Sequence, residues 1–134
     1  MISRILVAYD GTGPAQRALE LGLELARNEG AEVGIVTVTT SAGESAPEDP
    51  WSDKSERAAE LEDARQLALA GGLVVAIHEP AGAPGPAIVE VAEDLGYDMI
   101  VIGSRHLSPI QRAVLGSVSR YVITHAKATV VVAR

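Results

Sequence analysis

Residues 99–126 of the chain read MIVIGSRHLSPIQRAVLGSVSRYVITHA. The run 99–102 is apolar and ends at Gly103, which is typical of a short parallel strand buried on both faces. Gly116 precedes Ser117 and opens a segment with helical periodicity, so a helix is predicted there. A glycine loop leading into a helix N-terminus can bind an anion, because backbone N–H groups point outward and the helix dipole favours negative charge. The stretch therefore predicts a phosphate-binding loop between a strand and a helix.

The rest of the chain alternates short apolar runs with helical patterns. Further strands are predicted at residues 5–9, 32–39, 73–77 and 129–132, and helices at residues 15–27, 55–70, 86–95 and after Gly116-Ser117. The periodicity predicts these buried residues in the last three helices: Ala58, Leu61, Ala64, Ala68; Ile88, Val91, Ala92, Leu95; Val118, Tyr121, Val122, His125. Such alternation predicts one α/β domain over residues 1–134, with a five-stranded, mostly parallel sheet and helices on both faces in three layers. Residues 40–52, rich in Ser, Gly, Glu and Pro, are predicted to form a long loop.

Composition limits the classes of function. The chain has 134 residues, 47% of them apolar, with no Phe and one Trp, so an adenine ring would lie between aliphatic side chains. The net charge of −7 argues against a nucleic-acid partner, which would need a basic surface. The apolar runs are far shorter than the ~20 residues of a membrane span, so no membrane association is expected. The N-terminus enters a strand too early for a signal peptide, and a cytoplasmic location is therefore expected.

Polar residues and glycines follow the predicted strands, where ligands of parallel sheets bind. In such sheets the ligand lies outside the carboxyl ends of the strands, at a topological switch point. Asp10, Val38 and Gly103 lie at or near three such ends, so they are expected to converge on one crevice. Asp10 has two interpretations. It either forms the turn or caps a helix, or it is a carboxylate facing the crevice that accepts from ribose or base donors or orients a metal-bound water.

Several motifs of nucleotide enzymes are missing. Gly11-Thr12-Gly13 follows a strand, but Gln16 stands where the dinucleotide fingerprint needs a small residue. No lysine follows a glycine, so the phosphate-gripping P-loop motif is missing too. Steady ATP hydrolysis is therefore weakly supported, with Asp10 the only candidate base. The spacing of the three histidines does not resemble that of metal ligands.

Gly103 and Gly116 each precede a serine and have alternative interpretations. They are either ordinary turn glycines with an N-cap serine, or they let the backbone approach phosphates while the Ser117 and Ser119 hydroxyls add hydrogen-bond donors. The intervening loop contains basic groups that are either solvated or in contact with phosphate: Arg105, His106 and Arg112. A protonated imidazole would bind phosphate more tightly at low pH.

The chain resembles the universal stress protein family over essentially all of its length. The resembling segments are ILVAYDGT, PAQRALELGLELA, EVGIVTV, DMIVIGSR, LGSVSRYVITHA and TVVVAR. The family's nucleotide signature is glycine, two residues, glycine, nine residues, glycine, then serine or threonine. Here it runs from Gly103 to Gly116-Ser117 with the spacing intact, but His106 replaces the second glycine. If that glycine is needed for a positive φ, the replacement costs about 1–2 kcal/mol or displaces the terminal phosphates.

The resemblance implies an adenine-nucleotide-binding domain (adenine nucleotide α-hydrolase-like, Rossmann-like) acting as a homodimer in the stress response. It implies ATP, ADP or AMP as the ligand, with Mg²⁺ near Asp10. The implied nucleotide contacts are Ala8, Asp10, Val38, Ile102, Gly103, Gly116, Ser117, Val118 and Ser119. The basic loop residues Arg105 and His106 are added as candidate phosphate contacts. The family's last strand commonly pairs across the dimer axis, and here that strand runs from Thr129 to Val132. The alternative is a nucleotide-independent dimeric interaction module, since one branch of the family lacks the glycine signature.

Overall fold

The computed structural model describes residues 1–39, 54–104 and 116–134. Within them strands and helices alternate strictly: β1 (Arg4–Ala8), α1 (Gly13–Glu29), β2 (Glu32–Val36), α2 (Lys54–Ala70), β3 (Val75–His78), α3 (Pro84–Asp94), β4 (Met99–Gly103), α4 (Ser117–His125) and β5 (Thr129–Ala133). The predicted element order and α/β class are confirmed. The predictions for residues 40–52 and for the loop with Arg105, His106 and Arg112 lie outside the described residues.

The five strands form one parallel sheet in the order β3-β2-β1-β4-β5. β1 is central, and its Val7 pairs with Ile35 of β2 on one side and Val101 of β4 on the other. The chain runs outward from β1 to β3 and then crosses back to β4 on the far side of β1. The reversal of direction therefore falls between β1 and β4, where ligands of such sheets bind at the carboxyl ends.

Both faces of the sheet are covered, as the unbroken apolar runs of the central strands predict. In β1, Ile5 and Val7 pack in a cluster with α1 and α2, whereas Leu6 and Ala8 pack in a second cluster with α3 and α4. The three-layer arrangement is therefore confirmed. Within the described part of the chain, the helices are too short or too polar to cross a membrane.

Three side chains that were predicted to be buried are exposed. Ala58 lies on the outer side of α2, and Leu95, just past the end of α3, is 41% exposed. His125 ends α4 in solvent, where its ring stacks on Tyr121 at 3.9 Å and its Nδ1 lies 2.9 Å from the Tyr121 carbonyl oxygen. Leu95 and His125 lie at or just beyond the ends of their helices, whereas Ala58 lies within α2.

Tyr97, which follows α3 in the chain, packs against β2. It is 5% exposed and lies against Gly34, where an added Cβ would be 2.6 Å from the Tyr97 Cζ. The Tyr97 hydroxyl lies 2.8 Å from His78 Nε2, and the Arg4 guanidinium lies 4.6 Å from the centre of the phenol ring. Burial, with the nearby Arg4 charge, lowers the pKa of His78, whereas burial raises the pKa of Tyr97.

The lowered pKa of His78 predicts a loss of stability in mild acid. Because this pKa lies below the unfolded value of 6.5, the unfolded chain binds more protons between those two pH values. The free energy of unfolding should therefore fall as the pH drops below about 6.5 and level off below the folded pKa. Urea unfolding at pH 7.5 and 5.5 should show a smaller loss for His78→Gln than for wild type. If the free energy of unfolding fell equally in both proteins, His78 would not be the cause of the acid sensitivity.

Candidate functional site

The turn after β1 (residues 10–13, the β1 turn) is held by its own side chains. Asp10 Oδ1 accepts hydrogen bonds from the Thr12 backbone N–H at 3.0 Å and from the Thr12 hydroxyl. Gly11 has a φ of +81°, in the left-handed region that favours glycine. Thr12 is also the N-cap of α1: its hydroxyl oxygen accepts from Ala15 N–H at 3.4 Å, and its carbonyl accepts from Gln16 N–H at 2.9 Å. Asp10 is therefore a turn former, and the first turn of α1 is largely satisfied internally.

The end of β4 packs directly against the start of α1. A Cβ added at Gly103 would lie 2.5 Å from both the carbonyl carbon and the carbonyl oxygen of Pro14. The φ of Gly103 is not positive, so its conformation does not require glycine. Glycine at this position is thus explained by the close approach of helix α1, whether or not a ligand binds nearby.

Helix α4 begins differently from α1. Its N-cap is Gly116, with φ −63° and ψ 160°, and none of the described side chains caps this end by a hydrogen bond. The first intrahelical bond runs from Arg120 N–H to the Gly116 carbonyl at 3.0 Å. The N–H groups of residues 117–119 precede that bond and have no helical acceptor. The Ser119 hydroxyl, 3% exposed, donates to the Gly103 carbonyl at 3.0 Å and so joins α4 to the end of β4.

These three segments line one cleft, here called the β1–β4 cleft, at the switch point of the sheet. Its lining residues are Ala8, Asp10, Thr12, Pro14, Ala15, Ile102, Gly103, Gly116, Ser117, Val118 and Ser119. Eight of them were among the candidates from the sequence: Ala8, Asp10, Ile102, Gly103, Gly116, Ser117, Val118 and Ser119. The three that sequence reasoning missed come from the start of α1. The sequence contained a sign of them: the order threonine, glycine, proline at residues 12–14 is typical of an N-cap followed by a first helical turn.

Val38 does not line the β1–β4 cleft. It is 1% exposed and packs in the cluster beneath α3 and α4. After β2 the chain continues alongside the segment after β3, with Thr37 N–H bonded to the His78 carbonyl at 3.0 Å and Thr39 N–H to Pro80 at 2.9 Å. The Val38 side chain is therefore not among the described groups that line the cleft with Asp10 and Gly103, and its contact with a nucleotide stays a prediction. Arg105 and His106 lie outside the described residues.

The electrostatics of the cleft depend on backbone groups. Among its described lining residues, Asp10 is the only charged side chain. Among the described residues, the N-terminus of α4 is the source of positive potential, since its first turn contains no acidic residue and no described side chain caps it. In the described ranges, no group of three or more His, Asp or Glu side chains is placed to hold a metal ion by itself.

The fold and the cleft define a doubly wound α/β domain with a ligand-binding crevice at its switch point. The chain belongs to the Universal stress protein family, whose sequence profile matches residues 1–134. Universal stress protein YxiE of Bacillus subtilis is 30% identical over an alignment 148 positions long, which covers all of both chains. The family resemblance inferred from the sequence is thereby confirmed.

Solved structures share the same architecture. A universal stress protein in complex with cAMP has a TM-score of 0.78 and 27% identity, covering 99% of this chain and 97% of that one. The universal stress protein from Archaeoglobus fulgidus in complex with dAMP has a TM-score of 0.75 and 29% identity, covering all of both chains.

Proposed function

We propose that this chain is an adenine-nucleotide-binding regulatory protein of the stress response, with the nucleotide in the β1–β4 cleft. One observation carries the proposal: the N-terminus of α4, which no described side chain caps, lines a cleft at the switch point of the sheet. Such a terminus attracts anions through its N–H groups and its dipole. The complexes of two relatives with cAMP and dAMP support adenine nucleotides as the ligand class.

The chemistry of the lining suggests how the ligand is oriented. Gly116, Ser117 and Ser119 supply the N–H and hydroxyl groups for a phosphate, and Ala8 with Ile102 supplies aliphatic contacts for the nucleoside. Asp10 is the carboxylate that would accept from ribose hydroxyls. The family resemblance adds Val38 as a proposed contact at the adenine edge. Arg105 and His106 are proposed beside the phosphates because they are basic residues between Gly103 and Gly116.

AMP, ADP and ATP are all proposed ligands, and a single helix terminus accommodates at least one phosphate. Mg²⁺ prefers oxygen ligands and typically keeps several waters beside one or two carboxylates and the phosphates. Asp10 fits this role beside a bound di- or triphosphate. Binding is proposed here, and not turnover, because the sequence contains no phosphate-gripping P-loop lysine and offers only Asp10 as a candidate base.

A homodimer through β5 is part of the proposal, as is a cytoplasmic location. β5 is an edge strand of the sheet, and its valines Val130, Val131 and Val132 are only half-buried. An apolar edge strand presents unpaired backbone groups that favour pairing with another strand.

The second candidate is a nucleotide-independent interaction module of the same family. It is favoured by the structural roles that already explain Asp10, which forms the β1 turn, and Gly103, which makes room for Pro14. This candidate predicts that adenine nucleotides leave the stability of the chain unchanged.

Thermal unfolding of nucleotide-free protein separates the two candidates. A ligand at 100 times its dissociation constant stabilises by about 2.7 kcal/mol. For a chain of 134 residues this corresponds to an increase in Tm of about 8–10 °C. We expect such an increase with AMP, ADP or ATP–Mg²⁺ at saturation, and none with inorganic phosphate at the same concentration. An unchanged Tm with all three nucleotides would favour the interaction module.

A further inference from the structure

Helix α2 contacts the β1 turn through the carboxylate of Glu60. A Cβ added at Gly11 would overlap Glu60 Oε2 and would lie 3.2 Å from its Cδ. The half-buried Glu60 borders an opening between α1 and α2 together with Tyr9 and Gln16. The carboxylate therefore lies directly against the backbone of the turn.

Few large side chains attach the described part of α2 to the rest of the domain. The side chains that the described part of α2 buries are Leu61, Ala64 and Ala68, two of which are small. On the outer side of the same helix, Leu67 is 42% exposed and Leu69 is 47% exposed. Because the described part of α2 buries few large apolar side chains, loss of the Glu60 contact with the turn should change the position of α2 or its exchange with solvent.

The β1 turn connects that contact to the cleft. Glu60 lies against Gly11, whereas the neighbouring Asp10 and Thr12 line the cleft. The two hydrogen bonds from Thr12 to Asp10 make the turn a single unit, and Thr12 extends it into α1 as the N-cap. A shift of the turn on its α2 side would therefore move groups on its cleft side.

We propose that Glu60 is a positioning residue that couples α2 to the β1–β4 cleft. Its contact with Gly11 holds the β1 turn in the arrangement that binds the nucleotide, so nucleotide binding and the docking of α2 favour one another by an equal factor. The inference rests on the proposed function for its ligand. Charge alone predicts the opposite effect of removing Glu60, since loss of a carboxylate would strengthen the binding of an anion. Weaker nucleotide binding after removal of Glu60 would therefore show that Glu60 acts by positioning the β1 turn and not by its charge.

The first test uses hydrogen exchange in the nucleotide-free full chain. Glu60→Ala should speed the exchange of amides 10–13 by about fivefold, the lower end of usual couplings. Glu62→Ala is the matched control, because Glu62 is an exposed residue of the same helix whose carboxylate bonds Gln66 at 3.0 Å. Equal exchange of the turn in wild type and Glu60→Ala would overturn the proposal.

The second test is calorimetric titration with AMP. Glu60→Ala should weaken binding about fivefold, Glu62→Ala should leave it within twofold, and Glu60→Gln, which keeps the shape of the side chain, should restore most of it. Unchanged affinity in Glu60→Ala would also overturn the proposal. If wild-type protein binds no AMP, the proposed function fails, and the exchange of amides 10–13 still decides whether Glu60 positions the turn.

Discussion

Gly116→Val should weaken AMP binding by about 100-fold or more, equivalent to about 2.7 kcal/mol, and leave the fold intact. Gly116 is the N-cap of α4, and its φ of −63° with ψ of 160° is an extended conformation that valine adopts readily. The backbone therefore tolerates the change, at the modest cost of a poorer N-cap residue. The added isopropyl group would fill the space beside the N–H groups of residues 117–119, where the phosphate is proposed to bind.

Ala83→Val is the matched control for that experiment. Ala83 is the N-cap of α3, also extended with φ −74° and ψ 131°, also without a side-chain cap, and it does not line the cleft. Both variants should unfold cooperatively with similar Tm values, and only Gly116→Val should lose AMP binding in calorimetry. Wild-type affinity in Gly116→Val would exclude the α4 terminus as the phosphate site.

Gly103→Ala should lower the free energy of unfolding by about 2–3 kcal/mol, because overpacking against rigid neighbours is costly. The new Cβ would lie 2.5 Å from the Pro14 carbonyl carbon and oxygen, which are backbone atoms and cannot move aside as a side-chain tip can. To relieve the overlap, either α1 must shift away from β4, or the carboxyl end of β4 must shift away from α1. Urea unfolding should show the loss as a lower midpoint with an unchanged m-value.

Gly13→Ala provides the comparison for Gly103→Ala. Gly13 begins α1 one residue before Pro14, and a Cβ there would meet only Arg17 Nη1, at 3.7 Å. Its substitution should therefore cost little or be neutral. Equal losses in the two variants would show that the approach of Pro14 does not explain Gly103. A larger loss of stability in Gly103→Ala than in Gly13→Ala would show that packing explains Gly103. Gly116 would then be the signature glycine whose substitution tests nucleotide binding.

The sequence predicted the fold well because its strongest signals are local. Apolar runs mark the central strands, which are buried on both faces, and glycines such as Gly30 mark helix ends. The predictions failed where tertiary context decides. Leu73 was assigned to a strand, but its N–H bonds to the Ala68 carbonyl at 2.8 Å as part of the end of α2, and β3 begins at Val75. Leu95 lies beyond the part of α3 that the sheet covers.

The candidate site was predictable only in part. The rule that ligands bind at the carboxyl ends of parallel strands brought Asp10 and Gly103 together. The same rule does not say which two strands flank the switch point, and the Val38 side chain packs beneath α3 and α4 and does not line the described cleft. The contacts of Pro14 with Gly103 and of Glu60 with Gly11 join residues far apart in the chain, and no local pattern reveals them.

The decisive measurement is a titration of ¹⁵N-labelled protein with AMP, followed by amide chemical shifts. Binding as proposed predicts the largest changes at the amides of Ser117, Val118 and Ser119, with smaller changes across the β1 turn, at residues 10–13. Inorganic phosphate at the same concentration should produce much weaker changes at the same amides. Shifts that cluster away from the start of α4, or none up to millimolar AMP, would contradict the assignment of the β1–β4 cleft as a nucleotide site.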